Sequence, residues 1–148
     1  MIKKLKKQTP NIKYDLYGMV ENQPIWADNF INKISKSKMG LNLSRGEAIK
    51  YYSSDRITQI VGNGLVCLID QKTDYQNFFD KNEMVFYKSV SDLSEKVIKI
   101  SSDDNLRKKI ARNGKSKYMK YFNSTLVAEF IINKTLGIND KKKFFWHN

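Results

Sequence analysis

The chain of 148 residues has only one cysteine, one histidine and two prolines, and these scarcities exclude several kinds of protein. A single cysteine, Cys67, forms no intrachain disulfide and fits a reducing compartment. One histidine and one cysteine are too few for a zinc site or a Cys–His dyad. No apolar run approaches the roughly 20 residues of a membrane span. We therefore expect one cytoplasmic globular domain without a metal.

Acidic residues are also scarce relative to basic ones. The chain has 27 Lys and Arg against 15 Asp and Glu, a formal net charge of +12. The lysines are spread along the sequence, which is typical of a solvated surface. Attraction to an anionic substrate, or peripheral association with anionic lipid at the inner membrane face, are the alternatives. Because zinc-finger, RNA-recognition and helix-turn-helix signatures are missing, we expect no nucleic-acid partner.

Residues 51–70 hold the most informative pattern in the chain. Three helix N-cap residue types stand in a row, at Ser53, Ser54 and Asp55. Arg56 follows in the first helical turn, and the apolar run at 65–69 is typical of a parallel strand buried on both faces. A helix N-terminus at the crevice of an α/β sheet binds anions. The adjacent arginine indicates that this anion is a phosphate or diphosphate.

Strands and helices alternate along the first part of the chain. Strands are predicted at 12–17, 39–43, 65–69 and 84–86. This alternation predicts an α/β fold with a partial Rossmann-like parallel sheet, flanking helices and a helical C-terminal region.

The second part of the chain is predicted to be helical. Helices are predicted from Ser91, from Asp103 or Asp104 to Asn113-Gly114, over Ser116–Phe122, and from Ser124 to a stop at Gly137. Within a single domain we distinguish an alternating part at 12–86, a helical part at 87–137 and a charged, aromatic tail at 138–148.

Ligands of such sheets bind beyond the carboxyl ends of the strands. Gly18, the Ser44–Ser54 loop and the turn after Asp70 are therefore expected to converge on one crevice. Arg45 and Lys50 flank the middle loop and would complete a basic pocket. Each candidate also has a structural reading: Arg56 as the ion-pair partner of Glu47 or Asp55, Ser53 and Ser54 as helix caps, Tyr52 as a packed aromatic.

Four stretches carry a family resemblance. They are a strand ending in Tyr17-Gly18-Met19, the Lys38–Ser44 stretch, the Asp55–Val66 stretch, and the helices holding Asp92-Leu93 and Ile110–Gly114. In this order and spacing, over roughly residues 12–135, they resemble the C-terminal, nucleotide-sugar-binding half of a GT-B glycosyltransferase. The similar group is the family 1-like one that includes spore-coat maturation type glycosyltransferase domains.

The resemblance implies transfer of a sugar from a nucleotide diphosphate sugar to an acceptor, such as a cell-surface polysaccharide or a lipid carrier. The nucleotide sugar is then a substrate, and no cofactor is implied. The implied diphosphate-binding residues are Arg56, Ser53, Ser54, Arg45 and Lys50. The implied nucleoside-binding residues are Gly18, Met19, Gln59 and Tyr52. Gln59 stands where the family has a glutamate, so its amide would bind a ribose hydroxyl without adding charge.

The resemblance also implies that the chain begins partway through the family's domain. The acceptor-binding domain, which usually supplies the catalytic base, would then be an N-terminal domain or a partner chain. We therefore assign no catalytic residue, and we expect the chain alone to transfer no sugar. The alternative function is a non-catalytic Rossmann-like interaction module that assembles with a partner chain.

Overall fold

The structure is a computed structural model that describes residues 1–18, 22–43, 46–52, 54–138 and 144–147. Six α-helices lie in these ranges: α1 Ile2–Gln8, α2 Ala27–Ile34, α3 Asp55–Gly62, α4 Val90–Ser102, α5 Asp104–Tyr121 and α6 Ser124–Thr135. The three strands are β1 Met39–Asn42, β2 Val66–Asp70 and β3 Val85–Tyr87. Two short 3-10 turns, Gln71–Thr73 and Tyr75–Asn77, follow β2.

The strands form one parallel sheet in the order β1-β2-β3. Met39 pairs with Val66, and Leu68 pairs with Val85. The predicted α/β class, with its parallel sheet, flanking helices and helical C-terminal region, is confirmed. All three carboxyl ends lie at one edge of the sheet, as parallel pairing requires.

The central strand β2 is buried on both faces. Val66 and Leu68 pack in one cluster with α1, α4 and α5, through Leu5, Leu93, Val97 and Ile110. Cys67 and Ile69 pack in the other with α3 and the segment after β2, through Ile57, Ile60, Tyr75 and Phe79. Alternate side chains of a strand point to opposite faces, so residues of the apolar run predicted at 65–69 pack in both hydrophobic clusters.

Helix α3 packs closely on β1 because residue 40 is glycine. A Cβ built on Gly40 would lie 2.4 Å from Cγ1 of Ile60. Since real Cβ contacts of that length do not occur, a larger residue at this position would push α3 away from the sheet. Because Gly40 has no side chain, the α3 axis can lie at this short distance from β1.

The strand predicted at 12–17 is wrong in this structure. Residues 13–17 have no regular secondary structure, and Ile12 and Tyr14 pack against the first core cluster. The Tyr14 hydroxyl lies 2.6 Å from the hydroxyl of buried Thr9, just after α1. This bond and the packing hold the segment over α1. Its alternating apolar residues therefore pack against the core although the segment pairs with none of the described strands.

Two helix boundaries differ from the predicted ones. Helix α4 is capped by Ser89 rather than Ser91, and α6 by Asn123 rather than Ser124. Asp103 caps α5, as one of the two predicted starts. The predicted end at Asn113-Gly114 is wrong, because α5 continues to Tyr121 and absorbs the helix predicted over Ser116–Phe122.

Gly114 lies inside α5, where it permits a close contact. It is buried, and a Cβ built on it would lie 2.3 Å from the carbonyl oxygen of Glu83. The Lys117 ammonium, one turn later, donates to the Glu83 carboxylate at 2.8 Å. Glycine therefore lets α5 lie against the backbone before β3 instead of ending the helix.

Helix α6 is almost separate from both cores. Every residue of α6 is at least partly exposed, and Ile131 and Ile132 are 56% and 53% exposed. Gly137, with φ of +65°, follows its C-cap Leu136 as the predicted stop. Across the described ranges, no helix combines the length and the apolar character needed to cross a membrane.

The contact of Gly114 predicts opposite effects for two glycine substitutions. Gly114→Ala should lower the free energy of unfolding by about 1–3 kcal/mol, because the carbonyl of Glu83 is backbone and has no rotamer to move into. Gly62→Ala in α3 should raise it by roughly 0.5–1 kcal/mol, because the new Cβ would meet only Met119 at 3.9 Å and alanine favours helix. Urea unfolding of the two variants measures both. Equal effects of the same sign would refute the contact.

A second prediction concerns pH and the start of α4. The carboxylate of Asp92 accepts from the Lys88 backbone N–H and from the Lys96 ammonium, each at 2.8 Å. Partial burial acts to raise the pKa of Asp92, but these two bonds outweigh it and hold the pKa below its ordinary value. Asp92 therefore stabilises the fold above its unfolded pKa of about 3.9. That contribution disappears as pH falls through the lower folded pKa.

Asp92→Asn should thus cost about 0.5–1 kcal/mol at neutral pH. The difference from the parent chain should shrink as the pH falls below about 4. Urea unfolding at a series of pH values measures it, with Glu95→Gln on the same helix as the charge-matched control. A pH-independent difference would contradict the assigned role of the carboxylate.

Candidate functional site

The start of α3 is tied to the end of β1 by two side chains. The guanidinium of Arg56 donates to the backbone carbonyl of Leu43. The hydroxyl of Ser54 donates to the amide oxygen of buried Asn42 at 3.3 Å. Arg56 is exposed, and an arginine has five N–H donors. The bond to Leu43 therefore orients the guanidinium at the carboxyl end of β1 and leaves further N–H groups for a ligand.

The N-terminal turn of α3 is not capped by the side chain of Ser54. Ser54 is the N-cap residue in extended conformation, but its hydroxyl is directed to Asn42 and makes no bond to the first helical turn. The N–H groups at a helix start and the helix dipole favour an anion at this position. Ser54 is therefore the N-cap residue by position, as predicted, but its one hydroxyl proton is donated to Asn42 rather than to a ligand. Ser53 lies outside the described residues.

The loops that follow β1 and β2 are held together by three contacts. The backbone N–H of Tyr51 donates to the carbonyl of Thr73 at 2.8 Å. The Lys50 ammonium lies 3.3 Å from the carboxylate of Asp74. The Asn77 amide donates to the Tyr51 hydroxyl at 2.8 Å. The predicted meeting of the 44–54 loop with the turn after Asp70 is therefore seen in the described part of both.

Two residues of these loops have left-handed backbone. Tyr51 has φ of +56° and Asp74 has φ of +55°. Such conformations cost about 1–3 kcal/mol for residues other than glycine and are found where the surrounding structure holds them. The Tyr51–Thr73 and Lys50–Asp74 contacts are what hold them here. Strained backbone of this kind concentrates at ligand-binding sites, which makes the junction of the two loops a candidate site.

The other predicted site residues are distributed unevenly. Tyr52, 47% exposed, lies on the β1–α3 loop next to the strained Tyr51. Gln59 is exposed on α3 and follows Arg56 by three residues, so the two lie on one side of the helix. The N–H of Gly18 donates to the carbonyl of Asn22 at 3.1 Å, and Gly18 lies beside Pro24. Met19 and Arg45 lie outside the described residues.

A cavity lies beside the junction of the two loops. Its volume is about 800 Å³, and aromatic side chains dominate its lining of Tyr51, Asn77, Phe78, Tyr121, Phe144, Phe145 and Trp146. The Lys50 ammonium is 5.0 Å from the centre of the Tyr51 ring, in cation–π geometry. None of these lining residues is among the predicted site residues. These residues lie far apart along the chain, so the sequence did not predict the cavity.

The titratable groups of the described chain give little support for acid–base or covalent catalysis. Burial raises the pKa of the Cys67 thiol to about 12, so it remains neutral and unreactive. Asp74 is paired with Lys50, and His147 lies against the ring of Phe130 with centroids 5.5 Å apart. Within the described ranges, no three His, Cys, Asp or Glu side chains are grouped as a metal site would require.

Comparison with known proteins gives a family match. The family model described as glycosyl transferase-like matches residues 1–133, which is most of the chain. No curated protein and no solved structure matches. The matched range includes β1, α3, β2 and the two loops that meet at Tyr51 and Thr73.

Proposed function

The chain belongs to the glycosyl transferase-like family, and we propose that it is the donor-binding half of a GT-B enzyme. In the reaction, an acceptor hydroxyl forms the new glycosidic bond to the anomeric carbon of the donor sugar. The bond from that carbon to the diphosphate breaks, and a nucleoside diphosphate leaves. The protein's task in this half is to hold the diphosphate and stabilise its charge as the bond breaks.

The observation that carries the proposal is the junction at the carboxyl ends of β1 and β2. Arg56 is anchored there by Leu43, Ser54 leaves the first turn of α3 without its side-chain cap, and Lys50 lies on the adjoining loop. Planar guanidinium groups and helix N-termini are the usual partners of phosphate oxygens. We assign the diphosphate to this junction, with Ser53 and Arg45 as further expected contacts from the same loop.

The nucleoside is proposed to lie along the outer side of α3. Gln59, one turn after Arg56, offers an amide that can bond a ribose hydroxyl. Tyr52 offers an exposed ring on which a base or sugar can pack. Gly18 and Met19 complete the nucleoside residues as the family resemblance implies.

The alternative function is an interaction module that pairs with another chain through a sheet edge. The observation in its favour is the short sheet, in which β1 and β3 are the outer strands of the three described. An outer strand presents backbone N–H and C=O groups that another strand can pair with. A purified chain that binds no nucleotide sugar but forms a stable complex through β1 would favour this function over the first.

Substitution of Arg56 tests the diphosphate site. Arg56→Ala should weaken binding of a nucleotide diphosphate sugar by roughly 1.5–3 kcal/mol, the range for hydrogen bonds to charged groups. Arg56→Lys should recover only part of this loss, because lysine lacks the planar fork. Isothermal titration with uridine, guanosine and thymidine diphosphate sugars measures the affinities.

The matched control is Arg112→Ala, which removes another exposed arginine, on α5. It should leave the affinity unchanged. Thermal unfolding of each variant shows whether loss of the bond from Arg56 to Leu43 has disturbed the fold. An affinity that is the same in parent, Arg56→Ala and Arg112→Ala, with the fold preserved, removes Arg56 from the site.

Neutralising the ion-pair partner of Lys50 tests the same site through an expected increase in affinity. Asp74 neutralises Lys50 in the structure, and asparagine tolerates the left-handed backbone of position 74. Asp74→Asn should therefore free the ammonium and strengthen binding of a nucleoside diphosphate, by roughly 0.5–1 kcal/mol for an exposed charge. The gain should vanish in the Lys50→Gln background. Unchanged or weaker binding by Asp74→Asn would exclude Lys50 from the diphosphate site.

A further inference from the structure

Helix α6 has apolar residues on both its half-buried side and its exposed side. Its inner side is half-buried and includes Leu126 and Phe130 together with polar Glu129 and Asn133. Its outer side carries the exposed aliphatic residues Val127, Ile131 and Ile132, with Leu136 one turn further on. A surface helix normally directs its apolar stripe to the core. In α6 much of this stripe faces outward, where a partner can cover it.

The aromatic end of the chain attaches α6 to the end of α5. The ring of Phe130 lies 5.9 Å from that of Trp146, and Trp146 in turn stacks on Phe122 with centroids 5.6 Å apart. Tyr121 stacks on Phe145, which is 39% exposed. The rings therefore hold the half-buried side of α6, through Phe130, while its aliphatic residues stay exposed. Tryptophan and tyrosine rings are enriched at the level of lipid headgroups.

Lysines flank this region. The ammonium of Lys120 is 4.9 Å from the Tyr121 ring, and that of Lys134 is 5.8 Å from the Phe130 ring. Both are exposed. Residues 105–148 contain eleven Lys and Arg against two acidic residues, so most of the net charge of +12 belongs to this part of the chain. Lysine side chains beside apolar surface can extend their ammonium groups toward an anionic layer.

We propose that the α6 surface docks onto an anionic lipid membrane. We define this surface as the exposed aliphatic side chains and flanking lysines Val127, Ile131, Ile132, Leu136, Lys120 and Lys134. The aliphatic groups enter the boundary between headgroups and acyl chains, and the lysines pair with lipid phosphates. With 12 residues, α6 is shorter than the roughly 20 of a span and lies in the plane of the interface.

Charge favours the membrane over a second copy of the chain as the occupant. Two copies meeting through their α6 surfaces would bring like charges together, because lysines flank the apolar residues on each copy. An anionic lipid surface offers the opposite charge over the whole area. The two occupants also differ in their response to salt, since lipid binding of this kind weakens as ionic strength rises.

Vesicle sedimentation tests the proposal with two matched variants. The parent chain should bind phosphatidylcholine vesicles that contain phosphatidylglycerol, and bind pure phosphatidylcholine vesicles far more weakly. Ile131→Ser combined with Ile132→Ser should reduce the partition coefficient at least roughly tenfold. Ile98→Ser, at an isoleucine of α4 that is 51% exposed, should leave it unchanged. Circular dichroism confirms the fold of each.

The charge component is measured with Lys120→Gln and Lys134→Gln, which should each reduce binding to the anionic vesicles roughly fivefold. Equal binding to both vesicle types, or no effect of the α6 substitutions, would overturn the proposal. So would loss of binding on Trp26→Ser, at the 76% exposed tryptophan before α2, with α6 variants unaffected. A dimer that light scattering detects and that the Ile131–Ile132 variant dissociates would assign the surface to a second copy instead.

Discussion

The double burial of β2 is the constraint on which the rest of the structure depends. A strand with apolar side chains on both faces must be covered from both sides, and α3 covers one while α1, α4 and α5 cover the other. Its two neighbours run parallel to it, so each connection returns to the opposite end of the sheet. This arrangement brings the start of α3 and the turns after β2 to the same edge. The candidate site is a consequence of how β2 is buried.

At that edge the positive groups are already held in place before any ligand binds. Arg56 is oriented by a backbone carbonyl and Lys50 by Asp74. Preorganised donors stabilise charge more effectively than groups that must reorganise when it develops. The carboxylate of Asp74 also lowers the net positive charge at this edge. A bound diphosphate would compete with Asp74 for Lys50.

The sequence was most informative where a local pattern determines structure. The apolar run at 65–69 predicted the buried strand, and the residues before Arg56 predicted the start of α3. It was least informative where a distant contact decides. Gly114 reads as a helix end, yet its contact with the backbone of Glu83 keeps it inside α5. The apolar alternation at 12–17 reads as a strand, yet the bond of Tyr14 to Thr9 holds the segment over α1.

In the candidate site, too, the sequence predicted the features set by local patterns and not those set by distant contacts. Residue types and order predicted that Arg56 and Ser54 lie at the start of a helix and Lys50 on the loop before it, and the structure has them there. The left-handed backbone of Tyr51 and Asp74 had no signal, since neither is glycine. The bond from Tyr51 to Thr73 joins residues of two different loops, which only the folded chain brings together.

The central claim is that a nucleotide diphosphate sugar binds where the loops after β1 and β2 meet. The most direct measurement is a two-dimensional ¹H–¹⁵N NMR titration of the labelled chain with nucleotide diphosphate sugars. We expect saturable shifts of the backbone amides of Tyr51, Asp55, Arg56 and Asp74, at the junction and the first turn of α3. Shifts confined to α4 or α6, or no shifts with any donor at millimolar concentration, would contradict it.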